Sequence, residues 1–359
     1  VGTLNAPTSF AEYDPNTNAF TLISGPTGQT DGGAPYNTRL LDLPDGSVLF
    51  SNGGSRLYTY RPSGAPIAAA RPSVSSVLKN QDGSYVVTGY LLTGISEGSE
   101  YGDDAQEATN YPIVRLTASN GNVYYGRTTN WSTTGVAKGG AIQSAKFTTP
   151  AGLPSGAYQL QVVTNGVASY SVPFDSTVIY NYVGTEGQTF SFGNPADLAF
   201  GASGSYAYRY AKTGNITYNT ATFGDPLFGF AKFGFYKWFT QSVAENNSAT
   251  FNIPVEAAYG GNGNFLYKYG VSGTVTFSNA AFGSDPAPNV AKNGFYMPYT
   301  QCAVENETLA FNIPTDLAYG ANGKFNFKHA FTGTITFNNA AFGDPISGIA
   351  KAGYFRPAH

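Results

Sequence analysis

The C-terminal half of this 359-residue chain is an internal repeat, and the repeat constrains the fold more than any other feature of the sequence. Three segments align along their length: EGQTFSFGNPADLAFGASGSYAYRY, ENNSATFNIPVEAAYGGNGNFLYKY and ENETLAFNIPTDLAYGANGKFNFKH. Each is followed by a GDP or GSDP turn and by an Ala-Lys-X-Gly-aromatic sequence. The repeat therefore predicts three tandem small β-modules, at residues 176–239, 240–299 and 300–359.

Aromatic residues alternate within each copy, and this period of two predicts strands with one aromatic face. In the first copy the alternating residues are Tyr206, Tyr208 and Tyr210. A second strand is expected to begin after Gly214 and after its counterparts in the other copies. His329 takes the place of a tyrosine in the third copy, so we interpret it as a face aromatic rather than as a metal ligand or a base.

Composition predicts an all-β fold and excludes some functions. Charged residues make up only 11% of the chain, against roughly 25% in ordinary soluble domains. Glycine, tyrosine and phenylalanine are abundant instead, which favours strands joined by tight turns. A net charge of −3 argues against nucleic acid as a partner, because phosphate binding needs a clustered basic surface. No apolar run is long enough to predict a membrane span.

Residues 1–70 contain short strands separated by tight turns. AEYDPNTNAFTLI predicts a hairpin, and LLDLPDGSVLFSNGG followed by RLYTYRPSG predicts further strands. These sequences resemble a kelch-type β-propeller blade of the galactose oxidase and glyoxal oxidase family. The resemblance implies a partial propeller, since a blade has four strands and a propeller several blades. A β-hairpin extension of the next domain is the alternative.

Residues 71–175 carry about seven short strands at regular spacing, which predicts an immunoglobulin-like β-sandwich. GISEGSEYGDDAQEATNYPIVRL, VYYGRTTNWSTTGVA and FTTPAGLPSGAYQLQVVTNGVAS resemble, in this order, the C-terminal sandwich of the same oxidase family. The resemblance implies a loop with a copper-binding histidine after a threonine. Asn110 stands at that place here, and an amide is a poor copper ligand. The chain has only two histidines, His329 and His359, so we predict no catalytic site in it. A catalytic propeller upstream of residue 1 stays an open alternative.

Three polar residue types recur once in each module, and they form the candidate ligand-binding set. Carboxylates can accept hydrogen bonds from sugar hydroxyls, and aromatic rings can stack on sugar rings, so the set suits a carbohydrate site. The alternative is structural: Asp-Pro fixes a turn, and the lysine pairs with an acid as a partly buried clamp. The set consists of Glu186, Glu245, Glu305, Asp225, Asp285, Asp344, Lys232, Lys292 and Lys351.

Other positions carry residue types suited to metal binding, glycosylation or redox chemistry. Asp103 and Asp104 lie in the densest acidic segment and are candidates for a Ca²⁺ site, with a solvated loop as the alternative. No other cofactor is predicted. Cys302 is interpreted as an inert buried thiol, with an intermolecular disulfide as the alternative. Four sequons could carry N-linked glycans in a eukaryotic source: Asn130, Asn215, Asn246 and Asn306.

The repeat sequences YGANGKF and FNNAAFGDPISGIAK also resemble small FGDP-type tandem modules at the ends of secreted microbial proteins. This resemblance implies an extracellular accessory domain, so we expect a secreted or cell-surface location. The favoured function is a non-catalytic binding or adhesion protein directed at glycans. One alternative is a structural subunit of an extracellular filament, sheath or surface layer, with copies of the same chain as partners. Another is the accessory C-terminal part of a larger oxidase-like propeller protein.

Overall fold

The computed structural model describes residues 6–14, 17–64, 67–97, 110–138, 140–175 and 179–358. The fold of these residues is all-β, which confirms the predicted class. None of their helices is long and apolar enough to cross a membrane. The α-helical segments of this part of the chain have four residues each: α1 (Thr220–Phe223), α2 (Asn279–Phe282) and α3 (Asn339–Phe342).

The N-terminal region contains two three-stranded antiparallel sheets, with strand orders β2-β1-β3 and β4-β5-β6. Their strands are β1 (Thr8–Asp14), β2 (Ala19–Ile23), β3 (Thr30–Asp31), β4 (Arg39–Asp42), β5 (Val48–Ser51) and β6 (Leu57–Tyr60). Each described sheet is one strand short of a four-stranded blade, so the propeller interpretation of this region stays a prediction.

The next region has eight described strands in two sheets that share one core. They are β7 (Ser73–Lys79), β8 (Tyr85–Tyr90), β9 (Ile113–Ala118), β10 (Val123–Thr129), β11 (Gln143–Thr148), β12 (Tyr158–Thr164), β13 (Val167–Ala168) and β14 (Val172–Phe174). One sheet has the order β7-β8-β11, and in the other β10-β9-β12 is followed by β13 and β14. Val77, Phe147, Leu116 and Leu160 from both sheets meet in one buried cluster. This strand order is typical of immunoglobulin-like sandwiches.

Each of the three repeats contains one four-stranded antiparallel arrangement, in the order first-fourth-second-third. The first module has β15 (Tyr180–Thr185), β16 (Thr189–Ala202), β17 (Ser205–Thr217) and β18 (Phe233–Trp238). The second has β19 (Thr240–Ala244), β20 (Ser248–Gly261), β21 (Asn264–Thr276) and β22 (Asn293–Pro298). The third has β23 (Thr300–Val304), β24 (Thr308–Ala321), β25 (Lys324–Thr336) and β26 (Ala352–Pro357).

The long hairpin of each module closes with a two-residue turn whose residues both have positive φ. Asn262 and Gly263 have φ angles of 53° and 83°, and Asn322 and Gly323 have 51° and 75°. Positive φ at both positions is the type I′ geometry that matches the twist of the flanking strands, and Asn-Gly is its preferred sequence.

The third strand of each module is longer than the sequence suggested. The strand expected after Gly214 is the continuation of β17, which pairs with β16 across the whole hairpin with two register shifts. Ala211 bends the strand, with a φ of 50°, and its N–H donates to Asp197 Oδ1 at 3.0 Å. Gly270 and Ala330 repeat this positive φ in the other modules. The break at Gly214 was therefore the wrong interpretation of a bulge, which bends a strand without ending it.

Contacts between neighbouring units repeat in the same way along the chain. The Gly263 N–H of the second module donates to the Gly193 carbonyl of the first at 3.2 Å, and the Gly323 N–H donates to the Asn252 carbonyl at 3.1 Å. The third module contacts the sandwich through Asn312, whose Nδ2 donates to the Gly140 carbonyl at 2.8 Å. The first module joins the sandwich directly, because β15 pairs in parallel with β7. In the described residues each module therefore contacts the next one, and the first and third modules both contact the sandwich.

Candidate functional site

The recurring glutamate, aspartate and lysine of each module meet in space, and we call each trio a lysine clamp. In the second module Lys292 Nζ lies 3.3 Å from Glu245 Oε1 and 3.2 Å from Asp285 Oδ1. The lysine is almost fully buried, whereas both acids are partly exposed. The corresponding distances are 3.7 and 3.1 Å around Lys232, and 3.5 and 3.2 Å around Lys351. Each ammonium is therefore surrounded by oxygen atoms of its own module.

Each lysine clamp also holds a loop, which we call the apex loop: residues 226–231, 286–291 and 345–350. Lys292 Nζ donates to the Val290 carbonyl at 3.0 Å, and the other two lysines make the same bond to Phe230 and Ile349. At the start of the loop, Asp285 Oδ1 accepts the Ala287 N–H at 3.0 Å and so forms an Asx turn. These hydrogen bonds fix the backbone of the apex loop. They agree with the alternative in which the aspartate fixes a turn and the lysine is a partly buried clamp.

A tyrosine completes the lysine clamp in two of the modules. Tyr259 O–H donates to Glu245 at 2.6 Å and Tyr319 O–H donates to Glu305 at 2.6 Å. These hydroxyls are the main cause that holds the pKa of each glutamate below its usual value, with the lysine adding to the effect. The first module has Phe200 at the equivalent position and lacks this bond. The acids are thus ionised and engaged, and neither has the raised pKa that suits a general acid.

The side chains at the tip of the apex loop differ between modules, although the lysine clamp beneath them is the same. The first module presents Phe228 and Phe230, which are 89% and 62% exposed. Pro288 and Val290 occupy these places in the second module, and Ser347 and Ile349 in the third. A constant support beneath variable tips is the usual construction of binding loops.

Sequence reasoning did not single out the buried charge cluster between the modules. Arg356 of the third module reaches Asp197 of the first with both terminal nitrogens, at 2.8 and 2.9 Å, and its Nε donates to Glu256 of the second. The guanidinium also lies 5.5 Å from the ring centroids of Tyr210 and Phe239. The missed signal was available: Asp197, Glu256 and Asp316 stand at equivalent repeat positions, where an acid in a strand interior is unusual.

Electrostatics keep this cluster ionised in spite of its burial. Burial is the largest influence on Asp197 and opposes its ionisation, but Arg356 and the Ala211 N–H outweigh it and lower the pKa of the carboxyl. The same acids raise the pKa of Arg356 against the effect of its own burial. The bidentate geometry, with two parallel N–H to oxygen bonds, is the strong form of such a pair. Arg356 therefore joins all three modules.

A second contact missed by sequence reasoning fixes the third module to the sandwich. Glu307 replaces the amides Gln188 and Asn247 of the other copies. Its carboxylate accepts a hydrogen bond from Tyr170 O–H at 2.6 Å and lies 3.4 Å from Arg71 Nε. The negative charge at this position occurs only in the third module because this module contacts Tyr170 and Arg71 of the sandwich.

Two further residues discussed in the sequence analysis, Asn110 and His329, have structural contacts. Asn110 is buried and donates from Nδ2 to the Thr134 carbonyl at 2.8 Å, a structural role. His329 stacks on Phe327 at 6.2 Å, as Tyr210 does on Tyr208, and its Nδ1 lies 3.4 Å from Asp316.

The cysteine and the sequons are also described. Cys302 is buried, and burial raises the pKa of its thiol, which favours the inert interpretation. The four sequon asparagines are exposed: Asn130, Asn215, Asn246 and Asn306. Asp103, Asp104 and His359 lie outside the described residues. The described residues contain no group of three or more His, Cys, Asp or Glu side chains that could hold a metal ion.

A remote similarity links part of this chain to a viral protein. No protein-family profile matches the chain. The uncharacterized protein L701 of Acanthamoeba polyphaga mimivirus is 26% identical to it over 144 residues, which is 33% of this chain and 70% of that protein. The identity is too low and the coverage of this chain too small to assign it to a family.

Proposed function

We propose that this chain is a non-catalytic extracellular binding protein whose modules present apex loops to glycans. The observation that supports this best is the pair of exposed phenylalanines, Phe228 and Phe230, on a loop whose backbone is fixed by a buried lysine. Exposed aromatic side chains on a rigid support lose little entropy on binding, and a ring face can pack on the apolar face of a sugar. Several weak sites on one chain would add avidity through effective concentration.

The hydrogen bonds and ion pairs within the lysine clamps support a structural role for the clamps and a binding role for the loop tips. Their acids and lysines bind each other and the loop backbone, so the proposed ligand contacts belong to the variable tips and not to the nine recurring polar residues. A tip that changes from phenylalanine to proline or serine would give each module its own preference. Specificity of this kind needs a different contact surface on the same frame.

A glycan array tests the proposal with the chain and a double variant, Phe228→Ala with Phe230→Ala. We expect the variant to lose at least tenfold in affinity for the glycans that the chain retains, about 1.4 kcal/mol. The matched control is Phe20→Ala, which removes a phenylalanine of similar exposure, 74%, from the N-terminal sheet. Equal loss in the control, or retention by the double variant, would show that the apex loop does not carry the binding.

The structural-subunit alternative has its own supporting observation. Phe20 and Leu22 lie on one face of the edge strand β2 and are among the most exposed large apolar side chains of the described residues. Exposed apolar edge strands are a ready site for pairing with another chain. Light scattering over a range of concentrations separates this alternative from the first: growth of large species in the wild type, abolished in Phe20→Ser with Leu22→Ser, would favour assembly.

A further inference from the structure

A cavity of about 520 Å³ lies where the sandwich, the first module and the third module meet. Its volume falls within the roughly 300–1,000 Å³ of small-molecule sites. We call it the Lys237 cavity, after the residue on which the inference depends. The lining residues used in the argument are Ser76, Thr88, Tyr208, Asp197, Lys237 and Arg356.

Lys237 is unlike its counterparts in the other modules. Met297 and Arg356 occupy the equivalent positions, one uncharged and buried, the other paired with two acids. Within the described part of the chain, Lys237 has no ion pair or hydrogen bond from its ammonium. Asp197 faces Lys237 across the sheet, but both oxygens of Asp197 accept from Arg356, and one also accepts the Ala211 N–H.

The surroundings of Lys237 leave its charge poorly compensated. It lies between the Lys237 cavity and a second cavity of about 480 Å³, and it lines both. Burial is the main cause that lowers its pKa to about 8, and the attraction of Asp197 offsets this only in part. The ammonium still carries its proton at neutral pH. The Lys237 side chain is half-buried, so it is partly desolvated but can still be reached from the cavity. An incoming anion would supply the hydrogen-bonding partner that the ammonium lacks.

The lining of the cavity also contains hydroxyl groups. Ser76 Oγ lies 2.6 Å from Thr88 Oγ1 and 2.9 Å from the Tyr208 hydroxyl. Each of these hydroxyls can both donate and accept a hydrogen bond. The three hydrogen-bonded hydroxyls can therefore reorient to match the hydroxyls of a ligand. Arg356 adds a second cationic side chain to the lining.

We propose that the Lys237 cavity binds an acidic sugar, with the carboxylate of the sugar on the Lys237 ammonium and its hydroxyls on the Ser76–Thr88–Tyr208 chain. The ammonium without a hydrogen-bonding partner favours an anionic group, and the lining hydroxyls favour a ring with hydroxyl substituents over a bare anion. This site extends the proposed glycan-directed function to a second place in the molecule. The Lys237 cavity is separate from the apex loops. Loss of binding at one site can therefore be distinguished from loss of binding at the other.

Calorimetric titration of the full chain with glucuronate, glucose and acetate tests the proposal. We expect glucuronate to bind, and glucose and acetate to bind at least tenfold more weakly. Lys237→Met, which introduces the residue that the second module carries at this position, should weaken glucuronate binding at least tenfold. Lys212→Met removes an exposed lysine of the same module and should leave it unchanged. No glucuronate binding by the wild type, equal binding by Lys237→Met, or equal binding of acetate would overturn the proposal.

Amine labelling of the wild type gives a second measurement that needs no variant. The protein is treated with an acylating reagent at pH 8 with and without saturating glucuronate, and modified lysines are quantified by mass spectrometry. Labelling of Lys237 should fall at least fivefold with glucuronate, while labelling of Lys212 should not change. Unchanged labelling of Lys237 would contradict the proposed contact even if Lys237→Met failed to fold.

Discussion

At the scale of single residues, the same lysine chemistry has two outcomes in this molecule. The clamp lysines are buried but surrounded by oxygens, and the acids raise the pKa of Lys292 above its usual value against the effect of burial. Lys237 lacks such partners, and its pKa falls to about 8. Burial alone therefore does not determine the pKa of a lysine, because acidic partners within reach act against it.

This contrast predicts how the stability of the fold depends on pH. A lysine whose pKa is lower in the folded state, about 8 instead of 10.5, makes the unfolded state bind more protons between these values. The contribution of Lys237 to stability should therefore rise with pH across this window, by up to about 3 kcal/mol. The buried tyrosines act in the opposite direction as the pH approaches 10, because burial raises their pKa in the folded state and they ionise more readily in the unfolded state. The contribution of Lys237 is therefore measured against a variant that keeps these tyrosines.

Urea unfolding of the wild type and of Lys237→Met at pH 7, 8.5 and 10 measures this contribution. The wild type should gain stability relative to the variant as the pH rises. A difference between the two proteins that does not change with pH would show that Lys237 is not desolvated in the folded state.

The candidate polar residues show how far sequence reasoning can reach at this scale. Recurrence identified the glutamate, aspartate and lysine of each module, and the structure brings each trio together. Recurrence did not identify Tyr259 or the backbone carbonyls as further partners, since these depend on how the hairpin folds over the loop. It also gave no reason to separate Lys237 from an ordinary exposed strand lysine, because its burial comes from two other domains.

At the scale of elements, close packing between strands depends on glycines that have ordinary φ angles. Gly294 of β22 lies against the ring of Phe277, and a Cβ at this position would be 2.4 Å from that ring. Gly234 and Gly353 face Tyr218 and Phe337 in the same way. The Gly-aromatic sequence after each clamp lysine thus leaves room for the fully buried ring that follows β17, β21 or β25.

We expect Gly294→Ala to destabilise the protein by about 1–3 kcal/mol, because the added methyl group overfills the core and the ring cannot move away freely. Gly193→Ala is the control: it also lies in a strand, and its Cβ would meet no atom within 4 Å. Thermal unfolding measures both. A Gly294→Ala protein as stable as the control would mean that the second module repacks around the methyl group.

Elements were more predictable than their lengths. The alternating aromatics predicted the strands, since this signal is local. The continuation of β17 past Gly214 was not predicted, because a glycine with positive φ is compatible with a turn, a strand end or a bulge. What decides among these is the partner strand β16, whose Asp197 accepts the N–H at the bend.

At the scale of the whole molecule, one arginine near the C-terminus unites the three repeats. Arg356 neutralises acids of the first and second modules, whereas Asp316 of its own module pairs with His329. A sequence repeat predicts that modules resemble one another, but it does not predict how they are arranged. The arrangement is reflected at one repeat position, which differs in every module because the modules have different surroundings. Its residues are Lys237, Met297 and Arg356.

Arg356→Met should therefore destabilise the chain strongly, by about 3–5 kcal/mol, since it leaves Asp197 and Glu256 buried without their cation. Adding Asp197→Asn and Glu256→Gln to this variant removes the stranded charges and should restore part of the loss. Chemical denaturation of the three proteins measures both steps. A single variant as stable as the wild type, or a triple variant less stable than the single one, would contradict a charge-based role.

The parallel pairing of β15 with β7 limits how this chain can be divided. Tyr180 and Asn181 are hydrogen-bonded neighbours of Leu78 and Lys79, so the first module and the β7-β8-β11 sheet of the sandwich are the two halves of one sheet. Cleavage between residues 175 and 179 would cut the covalent link without separating the two halves. A fragment that begins at residue 179 would instead carry a bare strand edge, and such an edge invites aggregation. We therefore expect a fragment to keep the first module without a bare edge only if it also contains β7 and so begins before Ser73.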